Sequence, residues 1–192
     1  SRVTEIRDPY TSGHQKRVTK LATLIAEHMN YDPLRIEAIR IAGMLHDIGK
    51  ISIPSEILTK PGKLTDKEFE LIKDHSESGY SIIKNVPFNS VLGLDISSIV
   101  RQHHERLNGS GYPLGLKDKK IIKEAKLIAI CDVVESMSSH RPYRPALGLD
   151  VALDEINSKK GEFYDSEYVD VATKLLQSFQ DKNLDQYLNE VK

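Results

Sequence analysis

What the chain has little of narrows the field first. Cys131 is the single cysteine, so no internal disulfide can form, and a reducing, cytoplasmic setting is the expectation. No stretch reaches the roughly 18 apolar residues that span a bilayer, and the amino terminus lacks a basic-then-apolar leader pattern. Membrane contact by this domain is therefore not expected. Neither sign of charge is in excess: 27 Lys and Arg against 28 Asp and Glu leave a net charge of −1 with histidine neutral. No overall field draws in DNA, RNA or an anionic membrane, and any bound anion must be held by a local cluster. No alternating strand pattern of useful length and no internal repeat is visible, which leaves an all-α chain. Its 192 residues suit one well-buried core, read as a single domain over 1–192 with a lead-in over 1–13 and a polar tail over 181–192. Ser1 in first place suggests a piece of a longer protein, with a sensory or receiver domain expected upstream and room for a homodimer.

What is present is helical. From His14, the apolar positions Val18, Leu21, Leu24, Ile25 and Met29 recur at three and four, the spacing of one helical face. Asn30-Tyr31-Asp32-Pro33 reads as a turn with Asp32 as N-cap and Pro33 at the first helical position. The helix after it delivers His46-Asp47 at its end. Residues 48–61 are irregular or short-helical, interrupted by Gly49, Pro54 and Pro61. Thr65-Asp66-Lys67-Glu68 is a capping box, and the helix it starts is predicted to carry His75 in its middle and to stop at Pro87. A helix through Val91, Ile96, Ile99 and Val100 leads into His103-His104 and a glycine-rich loop. Ile121 to Met137 is apolar nearly all round, the mark of a buried central helix, with Asp132 inside it. A helix over Asp150 to Lys160, capped by Gly161, and one from Asp165 to Phe179 complete the chain.

Two stretches read as a site: His46-Asp47-Ile48-Gly49-Lys50, and the run from His103 to Pro113, whose adjacent imidazoles are followed by a basic turn and a loop closing on Gly111-Tyr112-Pro113. His14, His46, His75, His103, His104, Asp47 and Asp132 fall at helix ends or on apolar faces. An unpaired carboxylate at Asp132 would cost several kcal/mol, so a metal or a strong cation is the economical partner. Seven such groups exceed what one ion needs, and without a cysteine cluster they do not resemble structural zinc. Two ions bridged by a carboxylate account for the count, with iron, manganese or another first-row metal suited to imidazole plus carboxylate. His28 and His140 read as solvent-exposed, and Cys131, about 100° round the helix from Asp132, as core.

These motifs resemble those of the HD-GYP family, a branch of the HD-domain metal-dependent phosphohydrolases. The resemblance runs from Arg7-Asp8-Pro9-Tyr10-Thr11 through His46-Asp47 and His103-to-Pro113 to Ser139-His140-Arg141-Pro142-Tyr143-Arg144-Pro145. It implies an HD-type helical bundle with a metal centre in the core and an HD-GYP-type C-terminal extension, hydrolysing cyclic di-GMP to linear pGpG, with onward cleavage to GMP left open. The family pattern puts metal ligands on the same seven residues. Asn108 stands where the family has aspartate, a loss of charge that makes Asn108→Asp expected, if anything, to raise activity. Tyr10 stands where some members carry a glutamate for a third ion, which favours two.

Within that reading Asp47 is the natural bridge between the ions, and Lys50 is placed to stabilise charge developing on the phosphate. Gly111 lets backbone approach a ligand, Tyr112 offers a face to guanine, and Pro113 closes the loop. Arg141 and Arg144 suit the second phosphate or a guanine edge. The rivals are an HD-class hydrolase of another nucleotide, such as a mixed cyclic GMP-AMP, and a non-catalytic sensor or docking domain.

Overall fold

A computed structural model describes residues 13–87, 93–139 and 145–178. The helices are α1 (His14–His28), α2 (Pro33–Leu45), α3 (Ser55–Leu58), α4 (Asp66–Lys73), α5 (His75–Ile83), α6 (Ile96–Gln102), α7 (Lys123–Ser138), α8 (Leu149–Ser158) and α9 (Ser166–Gln177). Short 3-10 turns occupy Ile48–Ser52 and Asp118–Lys120. Beyond helices and turns, the described residues hold only two isolated bridges, Asn108 with Lys117 and Lys160 with Tyr164. The all-α expectation therefore holds for these residues. Tyr10, Val91, His140, Arg141, Arg144, Phe179 and the tail over 181–192 lie outside them.

Side chains at the helix starts explain where the chain turns. Asp32 accepts a hydrogen bond from the Arg35 N–H, with Pro33 just inside the helix. Thr65 and Glu68 form the reciprocal capping box of α4, Asp95 caps α6 and Asp165 caps α9. Each such cap satisfies an N–H that the helix cannot, and is worth about 1 kcal/mol. Two expectations need correcting. His75 is not in mid-helix, because Asp74 breaks the helical run and His75 opens α5. That helix ends at Ile83, well short of Pro87.

α7 runs through the core. Leu127, Ile128, Ile130, Cys131 and Val134 are fully buried there, and removing a Leu or Ile side chain of this kind from water contributes about 1.5–3 kcal/mol. α1 packs on α2 and α7, and α6 on α2 and α5. The close approaches use glycine. A Cβ on Gly43 would lie 2.8 Å from the Thr19 hydroxyl oxygen, across the contact of α1 with α2. A Cβ on Gly49 would lie 1.9 Å from the His75 carbonyl oxygen, so the 3-10 turn after Asp47 can lie against α5 only as glycine. His28 is exposed and Cys131 buried. No helix among the described residues is long and apolar enough to cross a membrane.

Candidate metal centre

The helix ends converge. His14 opens α1, His46 and Asp47 follow α2, His75 opens α5, His103 and His104 follow α6, and Asp132 projects from α7. Their donor atoms form three overlapping groups: His75, His103 and His104; His14, His46 and Asp132; and His46, Asp47 and His103. Within each group every donor lies within 4.8 Å of the others. All seven residues read from the sequence are thus brought together, with Asp47 in the group that shares His46 and His103 with the other two. Its carboxylate is 3.8 Å from His14, 3.6 Å from His46 and 3.5 Å from His75.

Local backbone geometry aims the imidazoles. The Nδ1 atoms of His46, His75 and His103 lie 2.7, 2.7 and 2.6 Å from the carbonyls of Gly43, Ile72 and Val100, each three residues back. A carbonyl only accepts, so each Nδ1 carries the proton, and in the neutral ring each Nε2 presents a lone pair. Those lone pairs face inward. His75 and His103 meet Nε2 to Nε2 at 3.2 Å, and the buried His46 Nε2 has no hydrogen-bond partner. Facing lone pairs and an orphaned nitrogen beside two carboxylates are the surroundings a divalent cation requires, so this donor set fits metal. Burial holds His103 neutral, lowering its pKa from 6.5 to about 3, and lowers that of His104 as well.

Two glutamates support the cluster, and both were missed in the sequence. Glu135, fully buried one turn beyond Asp132, pairs with His14 Nδ1, and accepts from Arg17 at 2.6 Å and from the Ser139 hydroxyl at 2.7 Å. Burial opposes charge on His14, but the hydrogen bonds it donates to the Asp132 and Glu135 carboxylates outweigh it and raise its pKa from 6.5 to about 9. The available signal was a second carboxylate three residues after Asp132, on the same face of an apolar helix. Glu105, 3% exposed, accepts from the N–H groups of Leu114 at 2.7 Å and Leu116 at 2.8 Å. It ties the loop to the histidine pair.

Of the proposed substrate-side residues, Lys50, Gly111, Tyr112 and Pro113 lie around this centre, and Arg141 and Arg144 fall outside the described residues. Lys50 donates to Asp47 at 2.8 Å. Tyr112 stacks on His104, ring centroids 4.6 Å apart, and Pro113 follows it. Gly111 is pressed on the backbone, since a Cβ there would lie 2.4 Å from the His104 carbonyl oxygen. Asn108 accepts from the Ser110 N–H at 3.0 Å and donates its amide to Glu162 at 3.4 Å. An aspartate would keep the first bond and set two carboxylates face to face, a small cost in local stability.

An all-helical bundle enclosing a histidine and aspartate cluster is the class that fold and site define. The family described as HD domain matches residues 1–168, and the chain belongs to it. A cyclic di-GMP phosphodiesterase of Thermotoga maritima is 41% identical over 173 residues, covering 90% of this chain and 46% of that protein. A 3'3'-cGAMP-specific phosphodiesterase of Vibrio cholerae is 34% identical over 153 residues, covering 79% of this chain and 32% of that one. The chain thus spans less than half the length of these two relatives. The HD domain of the L. monocytogenes phosphodiesterase PgpH, solved with cyclic-di-AMP, has the same fold, with a TM-score of 0.64 at 18% identity over 100% of this chain and 96% of that one.

Proposed function

We propose that this is an HD-GYP-type domain that hydrolyses cyclic di-GMP to linear pGpG, using two divalent ions, iron or manganese, held by His14, His46, Asp47, His75, His103, His104 and Asp132. The observation that carries the reading is the inward convergence of Nε2 lone pairs around Asp47. Bound ions of this kind supply charge neutralisation and a water acidic enough to attack a phosphodiester near neutral pH.

The protein's own groups do the rest. Asp47, within 4 Å of three imidazoles from different elements, is the carboxylate the two halves of the site share. Lys50, already drawn to Asp47, brings an ammonium to the place where phosphate charge would build. Glu135 holds His14 through Nδ1 and so keeps its Nε2 directed at Asp132, 3.2 Å away. Glu105 fixes the loop in which Gly111, Tyr112 and Pro113 form a wall next to His104, with Tyr112 offered to a purine. Arg141 and Arg144, from the motif beyond α7, serve the second phosphate or the guanine edges. An upstream sensory or receiver domain would supply regulation.

A mixed cyclic GMP-AMP is the second reading, favoured by the Vibrio cholerae relatives whose names specify that substrate. A non-catalytic sensor is disfavoured by the full donor set. The deciding experiment reconstitutes the domain anaerobically with ferrous iron or manganese and follows cyclic di-GMP and 3'3'-cGAMP by chromatography. Conversion of cyclic di-GMP to pGpG at the higher kcat/KM is the expected result. A fully metal-loaded domain inert toward both sinks the proposal.

A further inference from the structure

Arg106 is set apart from the other described arginines. Arg17 pairs with Glu135, Arg35 with Glu124, Arg40 with Glu37 and Arg101 with Glu77. Arg106 has no carboxylate partner among the described residues, although it is half-buried and lies two positions from His104. Its Nη1 donates to the Glu105 carbonyl at 2.9 Å. Its guanidinium carbon rests 5.3 Å from the centroid of the Tyr164 ring, itself only 4% exposed. Backbone on one side and an aromatic face on the other fix the planar fork and leave most of its five N–H donors unused.

Arg106 is joined to the donor cluster through the loop. Gly111, pressed so close that a Cβ would meet the Arg106 backbone nitrogen at 2.5 Å, carries the loop straight from Arg106 to Tyr112. Tyr112 in turn stacks on His104. Burial sets the direction of the His104 and Tyr112 shifts, and the Arg106 charge also acts on both. An ordinary surface arginine would be solvated and mobile. This one is held in place, beside the metal-ligand cluster and on a different element from Lys50.

We infer that Arg106 is a specificity-determining contact that takes the second, non-scissile phosphodiester of the cyclic dinucleotide through its free N–H fork. The inference rests on the phosphodiesterase reading above. A cyclic dinucleotide brings two phosphodiester charges to the site, and Lys50 with the metal ligands serves the scissile one. A preorganised guanidinium matches the second in a charge-assisted, two-point pair. That assignment leaves Arg141 and Arg144 for the guanine edges.

The test compares the cyclic dinucleotide with bis(p-nitrophenyl) phosphate, which has one phosphodiester and no second, on the metal-loaded domain. Arg106→Met keeps the side-chain stem over Tyr164 and removes the fork, and Arg106→Lys keeps the charge without the planar geometry. The expected result is a rise in KM for the cyclic dinucleotide at least about tenfold larger than any change on bis(p-nitrophenyl) phosphate in Arg106→Met, with partial recovery in Arg106→Lys. Equal losses on both substrates, or no loss on either, overturn the assignment. Elemental analysis and a thermal midpoint accompany each variant, and Arg106→Lys decides if Arg106→Met fails to fold. A wild-type domain that turns over neither substrate refutes the phosphodiesterase reading itself and takes this assignment with it. Turnover by wild type with equal losses in the variants refutes Arg106 alone.

Discussion

His75 and His103 confront each other through Nε2 atoms 3.2 Å apart, while each Nδ1 is engaged by the carbonyl three residues earlier. Neither ring can turn away without giving up its backbone hydrogen bond, so the two lone pairs are held together by the fold.

A bound divalent ion relieves that opposition, and therefore manganese or ferrous iron should raise the thermal midpoint. At about 100 times Kd the added stability is about 2.7 kcal/mol. Chelation should reverse it. His75→Ala should lower the metal content found by elemental analysis, and full metal occupancy in that variant would remove His75 from the ligand set.

Glu135→Gln should weaken metal affinity by roughly 10–100-fold, because the amide keeps the shape but cannot hold the His14 Nδ1 proton or the Arg17 charge as a carboxylate does. Competition with a metal-sensitive dye reads this directly. Unaltered affinity would mean that His14 is oriented by the helix alone.

Asp47→Ala should abolish metal binding and turnover together, since it removes the carboxylate that lies within 4 Å of His14, His46 and His75. Lys50→Ala should retain the metals and lower kcat by about a hundredfold, the scale of losing one donor to developing charge. An unchanged kcat would take Lys50 out of the chemistry.

Gly49→Ala should destabilise the domain by at least about 2 kcal/mol, because the new methyl meets the His75 carbonyl and α5 must move. A thermal midpoint lower by about 5 °C is the expected reading. Since that movement carries His75 with it, metal affinity should fall in the same variant.

Asn108→Asp should cost stability and leave metal content intact. The carboxylate would face Glu162 at an exposed position, so the loss is small, about 0.5 kcal/mol, and denaturant unfolding measures it. A gain in activity would bear out the expectation taken from the sequence.

Much of this protein was legible before any coordinates. Helix starts could be read because Asp32-Pro33, the Thr65 to Glu68 box and Asp165 act within a few residues of themselves. The seven candidate ligands could be named because a carboxylate in an apolar helix, like a histidine closing one, needs a partner wherever the chain goes. Tertiary structure alone decided the rest. The break at Asp74 that puts His75 at the head of α5 is tied to the contact of that helix with Gly49, twenty-five and more residues away in the chain. Glu135 became a support for His14, 121 positions distant, only when α1 packed against α7. Arg106 became distinct only once every other described arginine had found a carboxylate on a neighbouring turn or helix. Local hydrogen bonds and periodicity are written in consecutive residues, whereas the choice of partner for a buried charge depends on which surfaces the packed core brings together.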